Sequence, residues 1–244
     1  MKLIKFLFTM KKINMKKLII RYFLEFCVII LGISISFYIE KQNALDYKKE
    51  LKNQSLKKLI KNVNEDLIDS KFNYEQHSKA SLSGEIILER GKDLYKTNKD
   101  SLGYYLTVAA VINTVLVDNQ EEYNALKNSG LIELIDNDTL VSYLQSKYSR
   151  HNFYKKLESV INELSYKASN IVYDKVTLEN KKRLWGQPIY WSPYKQNSNY
   201  LSVKDINLIY HKRGFHEYYA KVIKSSIKMD SIIILTLKKE ILYD

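Results

Sequence analysis

Four histidines, one cysteine and many carboxylates are the residues of this chain that could do chemistry. His77, His151, His211 and His216 lack the H-E-x-x-H spacing that puts two metal ligands and a base on one helix face. His211 and His216 lie five apart, so on a helix they point about 140° from each other. Packing or surface roles are therefore expected for all four. Asp136 and Asp138 open like a calcium loop, but its twelfth position is Lys147, where a bidentate glutamate is needed. Cys27 sits inside an apolar run, which leaves no nucleophilic thiol and no disulfide for the rest of the chain. There is no G-x-S-x-G and no P-loop, and the seven glycines are scattered singly, so none forms a phosphate cradle. No catalytic residue, metal site or cofactor is expected. An acid–base pair of carboxylates would emerge only from the fold.

The elements that must position these side chains are helices. Only two prolines, Pro188 and Pro193, interrupt the 244 residues. Beyond residue 40, Leu45, Leu51, Leu56, Leu59, Ile60, Val63, Leu67 and Ile68 recur at nearly helical spacing, predicting an amphipathic helix to about Tyr74. A second helix is expected over 81–97, and a third, strongly apolar one over 101–117, whose β-branched content would also suit a strand. Residues 121–129 predict a short helix stopped by Gly130, with Asn137 or Asp138 capping the next. In that next helix Leu140, Leu144, Tyr148, His151, Leu157, Ile161, Leu164, Ala168 and Ile171 form a stripe that predicts a helix to about Val176. Ser202 and Asp205 resemble a capping box, opening a helix expected to break at Gly214. A final helix runs on from Phe215 to about Leu242. Between these, Trp185, Tyr190, Trp191 and Tyr194 form an aromatic, proline-containing loop that could contact a ligand or partner, or simply cover the end of a bundle.

Residues 18–39, LIIRYFLEFCVIILGISISFYI, are long and apolar enough for a membrane-spanning helix, which needs about 20 such residues. Glu25 is the one acidic residue in it, and Arg21 lies one turn earlier, at pairing distance. A cleaved signal peptide with Ser34 and Ser36 at its cleavage site is less consistent, because the apolar run continues through Ile39. Seven of the 39 basic residues and none of the 27 acidic ones precede position 22, so the net charge of +12 is concentrated there. That asymmetry predicts a basic cytoplasmic tail over 1–17, held to anionic lipid headgroups, and an extracytoplasmic remainder. The 32 basic and 27 acidic residues beyond it form no concentrated basic patch, so no nucleic-acid partner is expected.

Residues 25–36, EFCVIILGISIS, resemble the anchor of an uncharacterised bacterial single-pass membrane-protein family of unknown function. In that family a Glu precedes a Gly by seven positions; Glu25 and Gly32 take those places, and Asn43 follows without the family's Trp. Residues 122–130, EYNALKNSG, carry a second similarity. The resemblance implies a bacterial single-pass protein and supplies no catalytic residue.

The expected fold is mainly α: one transmembrane helix, a membrane-proximal amphipathic helix over 40–80, and a helical, bundle-like domain over 81–244. Spacing seven also places Glu25 and Gly32 on one helix face, where glycine permits close approach of another membrane helix or a second copy. A membrane-anchored interaction or scaffold protein without enzymatic activity is the expected function. The alternatives are an extracytoplasmic ligand sensor signalling through a membrane partner, and an enzyme with carboxylate chemistry.

Overall fold

Helical stripes of apolar residues need a common interior, and here four arms supply it. The structure, a computed structural model, describes residues 15–177 and 193–243. The chain is mainly α, with helices α1 (Met15–Thr97), α2 (Lys99–Val111), α3 (Glu121–Asn128), α4 (Asp138–Lys175) and α5 (Val203–Tyr243), and a 3-10 turn at Leu131–Leu134. Among the described residues no strand forms; Val176 and Tyr194 make one isolated antiparallel bridge. The chain divides into two units, Met1–Leu51 and Lys52–Asp244.

In the first unit, every described side chain from Lys16 to Glu50 is exposed except the half-buried Cys27. It holds one helix stretch long and apolar enough to cross a membrane, none of it buried.

In the second unit, α1 from Lys52 onward, α4 and α5 are long arms. The first two run parallel, as the contact of Asp66 with Lys147 and the shared cluster of Ile87 with Ala168 and Ile171 require. The fifth helix runs against both, pairing His77 with His216 and Lys147 with Asp230. The remaining arm, descending beside them, is composite: α2, an extended stretch over 112–120, then α3. An extended residue rises about 3.3 Å against 1.5 Å in a helix, so a non-helical stretch covers more distance per residue. The composite arm's 30 residues thereby match the span of the 38-residue α4, about 57 Å. Three apolar clusters fill the interior, centred on Leu106 and Ile171, on Leu59 and Leu144, and on Ile161 and Tyr219.

The caps form where the sequence places them. The Asn137 side chain accepts from the Leu140 amide at 3.1 Å, and Gly130 takes φ 73° after α3. Ser202 and Asp205 bond reciprocally, backbone amide to side chain, at 2.9 and 3.2 Å. In α4 the apolar stripe is buried at every expected position but the half-buried Leu164.

Three expectations are corrected. The helices expected to about Tyr74 and over 81–97 are one, because α1 continues through residues 75–80 without a breaker. The expected helix over 101–117 stops at Val111; the β-branched residues Ile112, Thr114, Val115 and Val117 beyond it leave the helix, and side chains of neighbouring helices bond several of their peptide groups. Helix α5 does not break at Gly214, since the burial of Lys212, His216 and Tyr219 on either side outweighs the roughly 1 kcal/mol a helical glycine costs.

Two glycines separate packing from propensity. A Cβ on Gly84 would meet the Arg213 Cβ at 2.9 Å, so this glycine sets how closely α1 and α5 approach. Gly214 faces open space. In urea titrations of the full chain in detergent, Gly84→Leu is expected to cost about 1–3 kcal/mol. Gly214→Ala is expected to gain about 0.5–1 kcal/mol.

Candidate functional site: a buried polar chain around the extended segment

A stretch that is neither helix nor sheet must find partners for its peptide groups elsewhere, and those turned towards the interior cannot use water. Residues 112–120 find theirs in side chains from three helices. Lys212 and Ser165 donate to the Ile112 carbonyl at 3.0 and 3.1 Å, and Asn162 donates to that of Thr114 at 3.2 Å. The amides of Leu116, Val117 and Asn119 donate to Glu158, Asp69 and Asp66 at 2.7, 2.9 and 2.8 Å. Thr114 and Leu116 face inward, while Val115 and Val117 face out, the two-residue alternation of a strand.

The most connected of these groups form one chain. Lys212 Nζ donates to the carbonyls of Ala109 at 2.8 Å and Ile112 at 3.0 Å, the last acceptors of α2, and lies 2.9 Å from His216 Nε2. An ammonium has three protons and no lone pair, so a charged Lys212 makes His216 Nε2 an acceptor. His216 Nδ1 must then carry the proton and donate to His77 Nδ1 at 2.8 Å. His77 Nε2 donates in turn to Thr114 Oγ1 at 2.7 Å, and Thr114 donates to Glu158 Oε1 at 2.8 Å. Tyr219 donates to the same oxygen at 2.7 Å, and its ring stacks on His77 with centroids 4.1 Å apart. The chain thus runs from a cation to an anion, and each intervening nitrogen and hydroxyl is used within it. Its hydrogen bonds fasten the extended segment to α1, α4 and α5.

Burial controls the electrostatics. It lowers the Lys212 ammonium to about 7. Burial, then the charge of Lys212, lowers His77 to about 3; burial, Lys212 and His77 together hold His216 well below its ordinary value. Burial and then Glu158 raise Tyr219. Two further ionic groups brace the same segment. Lys147 lies 2.9 Å from both Asp66 and Asp230, the latter raised by burial despite the lysine. Asp118 is bonded by Lys155, Gln120 and His151, and these bonds outweigh burial and bring it down to about 2. His151 itself is lowered, burial and Lys147 prevailing over Asp118.

The sequence-derived candidates lie elsewhere. Glu25 accepts from Arg21 at 2.9 Å on the exposed apolar helix, and Gly32 has nothing within 4 Å of a Cβ position. Trp185, Tyr190 and Trp191 lie outside the described residues. Tyr194 is buried: it bridges to Val176, donates to the Asn199 carbonyl at 2.7 Å and meets Tyr95 edge-on, closing the end of the bundle. Three of the four histidines are buried, and only His211 is exposed. Sequence reading missed the pairing of His77 with His216, which sit 139 residues apart. The available signal was polar residues on apolar stripes: His77, Glu158, Lys212 and His216 interrupt the faces that bury.

Stability should fall in acid. An unfolded histidine takes up a proton near 6.5, whereas folded His77, His216 and His151 resist it, so the native state loses ground as pH drops from about 6.5 towards 3. The slope is about 1.4 kcal/mol per pH unit for each histidine kept neutral. Asp69 and Asp230, both raised by burial, act in the opposite sense just above 3.8, so a variant comparison isolates the histidines. In urea titrations between pH 7 and 4, His77→Gln is expected to flatten the slope by about one proton. An unchanged slope would mean that His77 is charged in the folded chain.

No family model, no curated protein and no solved structure matches this chain, so the likeness of residues 25–36 to a membrane anchor rests on those residues alone.

Proposed function

We propose that the chain is a single-pass, membrane-anchored helical interaction module with residues 1–17 in the cytoplasm and 40–244 outside it. The observation that supports this reading is the exposure of the apolar helix, in which only Cys27 is half-buried. Among the described residues its large side chains from Leu18 to Ile39 are exposed, and leaving such a surface in water costs about 25 cal/mol per Å². A bilayer removes that cost. The Arg21–Glu25 pair fits the same setting, because it neutralises the acidic residue near the end of the run. The basic N-terminal residues supply the positive-inside asymmetry and a contact for anionic headgroups.

The second unit supports interaction rather than turnover. Its interior is occupied by three apolar clusters, and its buried polar chain is consumed in holding residues 112–120. A contact within the membrane has its own candidate face, since Gly32 leaves room for a second helix and Ser36 returns its hydroxyl proton to the Gly32 carbonyl at 2.9 Å.

Protease added to intact spheroplasts expressing the full chain is expected to digest residues 40–244 and to spare an N-terminal fragment that carries the apolar helix. Protection of the bundle would reverse the orientation. Recovery of the chain in the soluble fraction after lysis would remove the anchor.

A further inference from the structure

Two exposed apolar patches on the second unit carry opposite charge. One lies where α1 meets the extended segment: Ile68, Phe72 and Val117 are exposed, and Glu65 and Asp69 stand beside them. Ile68 belongs by spacing to the inward stripe of α1, yet it is 69% exposed. Glu65 is approached by Lys61 only at 3.8 Å. The other patch is a shallow groove between α4 and α5, where Phe153 and Tyr218 meet edge to face at 6.4 Å, flanked by Arg150 and Lys221. Neither cation forms a salt bridge among the described residues; Glu217, one turn before Lys221, is turned to Arg213 at 3.1 Å.

The patches look away from each other. On α1, Tyr74 packs with Phe215 and Val222 and lies beneath Lys224, so Phe72, two residues earlier, projects about 200° round the helix from that contact. On α4, His151 faces Asp118 of the extended segment, and Phe153 projects about 200° from it. A chain therefore cannot satisfy its own groove with its own acidic patch.

We infer that the acidic apolar patch at Ile68, Phe72 and Val117 of one copy docks in the basic aromatic groove at Arg150, Phe153, Tyr218 and Lys221 of a second copy, head to tail. The occupant is a second copy because this chain itself carries the matching surface: apolar side chains to fill the aromatic groove, and carboxylates to meet its two unpaired cations. Unlike surfaces on opposite sides make a heterologous contact, which propagates as a row or ring of copies instead of closing into a two-fold dimer. The inference rests on the interaction-module reading, and confinement to a membrane would raise the local concentration at which a modest contact fills.

The test is crosslinking of the full chain in membranes, in a Cys27→Ser background, with Val117→Cys reporting the acidic patch and Ser225→Cys, at a residue that lines the aromatic groove, reporting the other. A chain with both cysteines, treated with a short bismaleimide, is expected to give a ladder of dimers, trimers and longer species. Two singly substituted chains mixed in one membrane should stop at dimers, and each alone should stay monomeric. Adding Arg150→Glu and Lys221→Glu is expected to reduce the ladder about tenfold, and Glu65→Lys in the same chain should restore part of it. No ladder, or a Val117→Cys chain that dimerises alone, overturns the inference. Crosslinks confined to other proteins also overturn it while leaving an interaction module in place. If the chain fractionates as soluble, the anchor falls, and the ladder read in that fraction still decides self-assembly.

Discussion

Everything in the second unit depends on how nine residues without a ladder keep their peptide groups satisfied. Each buried amide or carbonyl left alone would cost about 1–3 kcal/mol, and residues 112–120 present several. The helices answer with side chains: Glu158, Asp69 and Asp66 take amides, and Lys212, Ser165 and Asn162 take carbonyls. That requirement explains why acidic and basic residues interrupt apolar stripes on three helices. It also explains the gain, since an extended stretch spans the bundle with fewer residues than a helix would need. The polar interior is the consequence of a short second arm.

Such an interior is tolerable because charge is arranged in order along it. A buried ammonium or carboxylate alone would shed its charge, and the lowered Lys212 is a sign of that pressure. Two neutral histidines and a threonine between Lys212 and Glu158 let the charges stay apart while each link donates in a single direction. The polarity is set by Lys212 in its charged form, which has no lone pair to offer. Lys147 between Asp66 and Asp230 applies the same rule over a shorter distance.

Much of the architecture was legible in the amino-acid sequence, and what was not has physical causes. The stripe of α4, the Asn137 cap, the turn at Gly130 and the Ser202–Asp205 box are local signals, readable from spacing and residue type. The exposed apolar helix was equally plain, because its pattern needs no partner. Local reading failed where tertiary contacts overrule propensity. Val111 to Val117 suits helix or strand alike, and the deciding groups lie up to 100 residues away at Lys212. Gly214 looked like a break, yet its neighbours are held on both sides. The buried chain was illegible for a related reason: His77 and His216 meet only when α1 and α5 lie side by side. Of the aromatic loop, Tyr194 alone is described, and it seals the bundle end with Tyr95.

The position of Lys212, His216, Tyr219 and Asp230 on the last helix has a consequence for biosynthesis. These four residues complete the hydrogen bonds and ion pairs of elements made long before them, with partners 61 to 139 residues upstream. While the ribosome is still translating α4, the extended segment has only part of its complement. The bond of Lys212 to the Ile112 carbonyl is missing until α5 emerges and docks. Completing the bundle therefore requires contacts across long sequence separations, the kind that slow folding relative to helix formation.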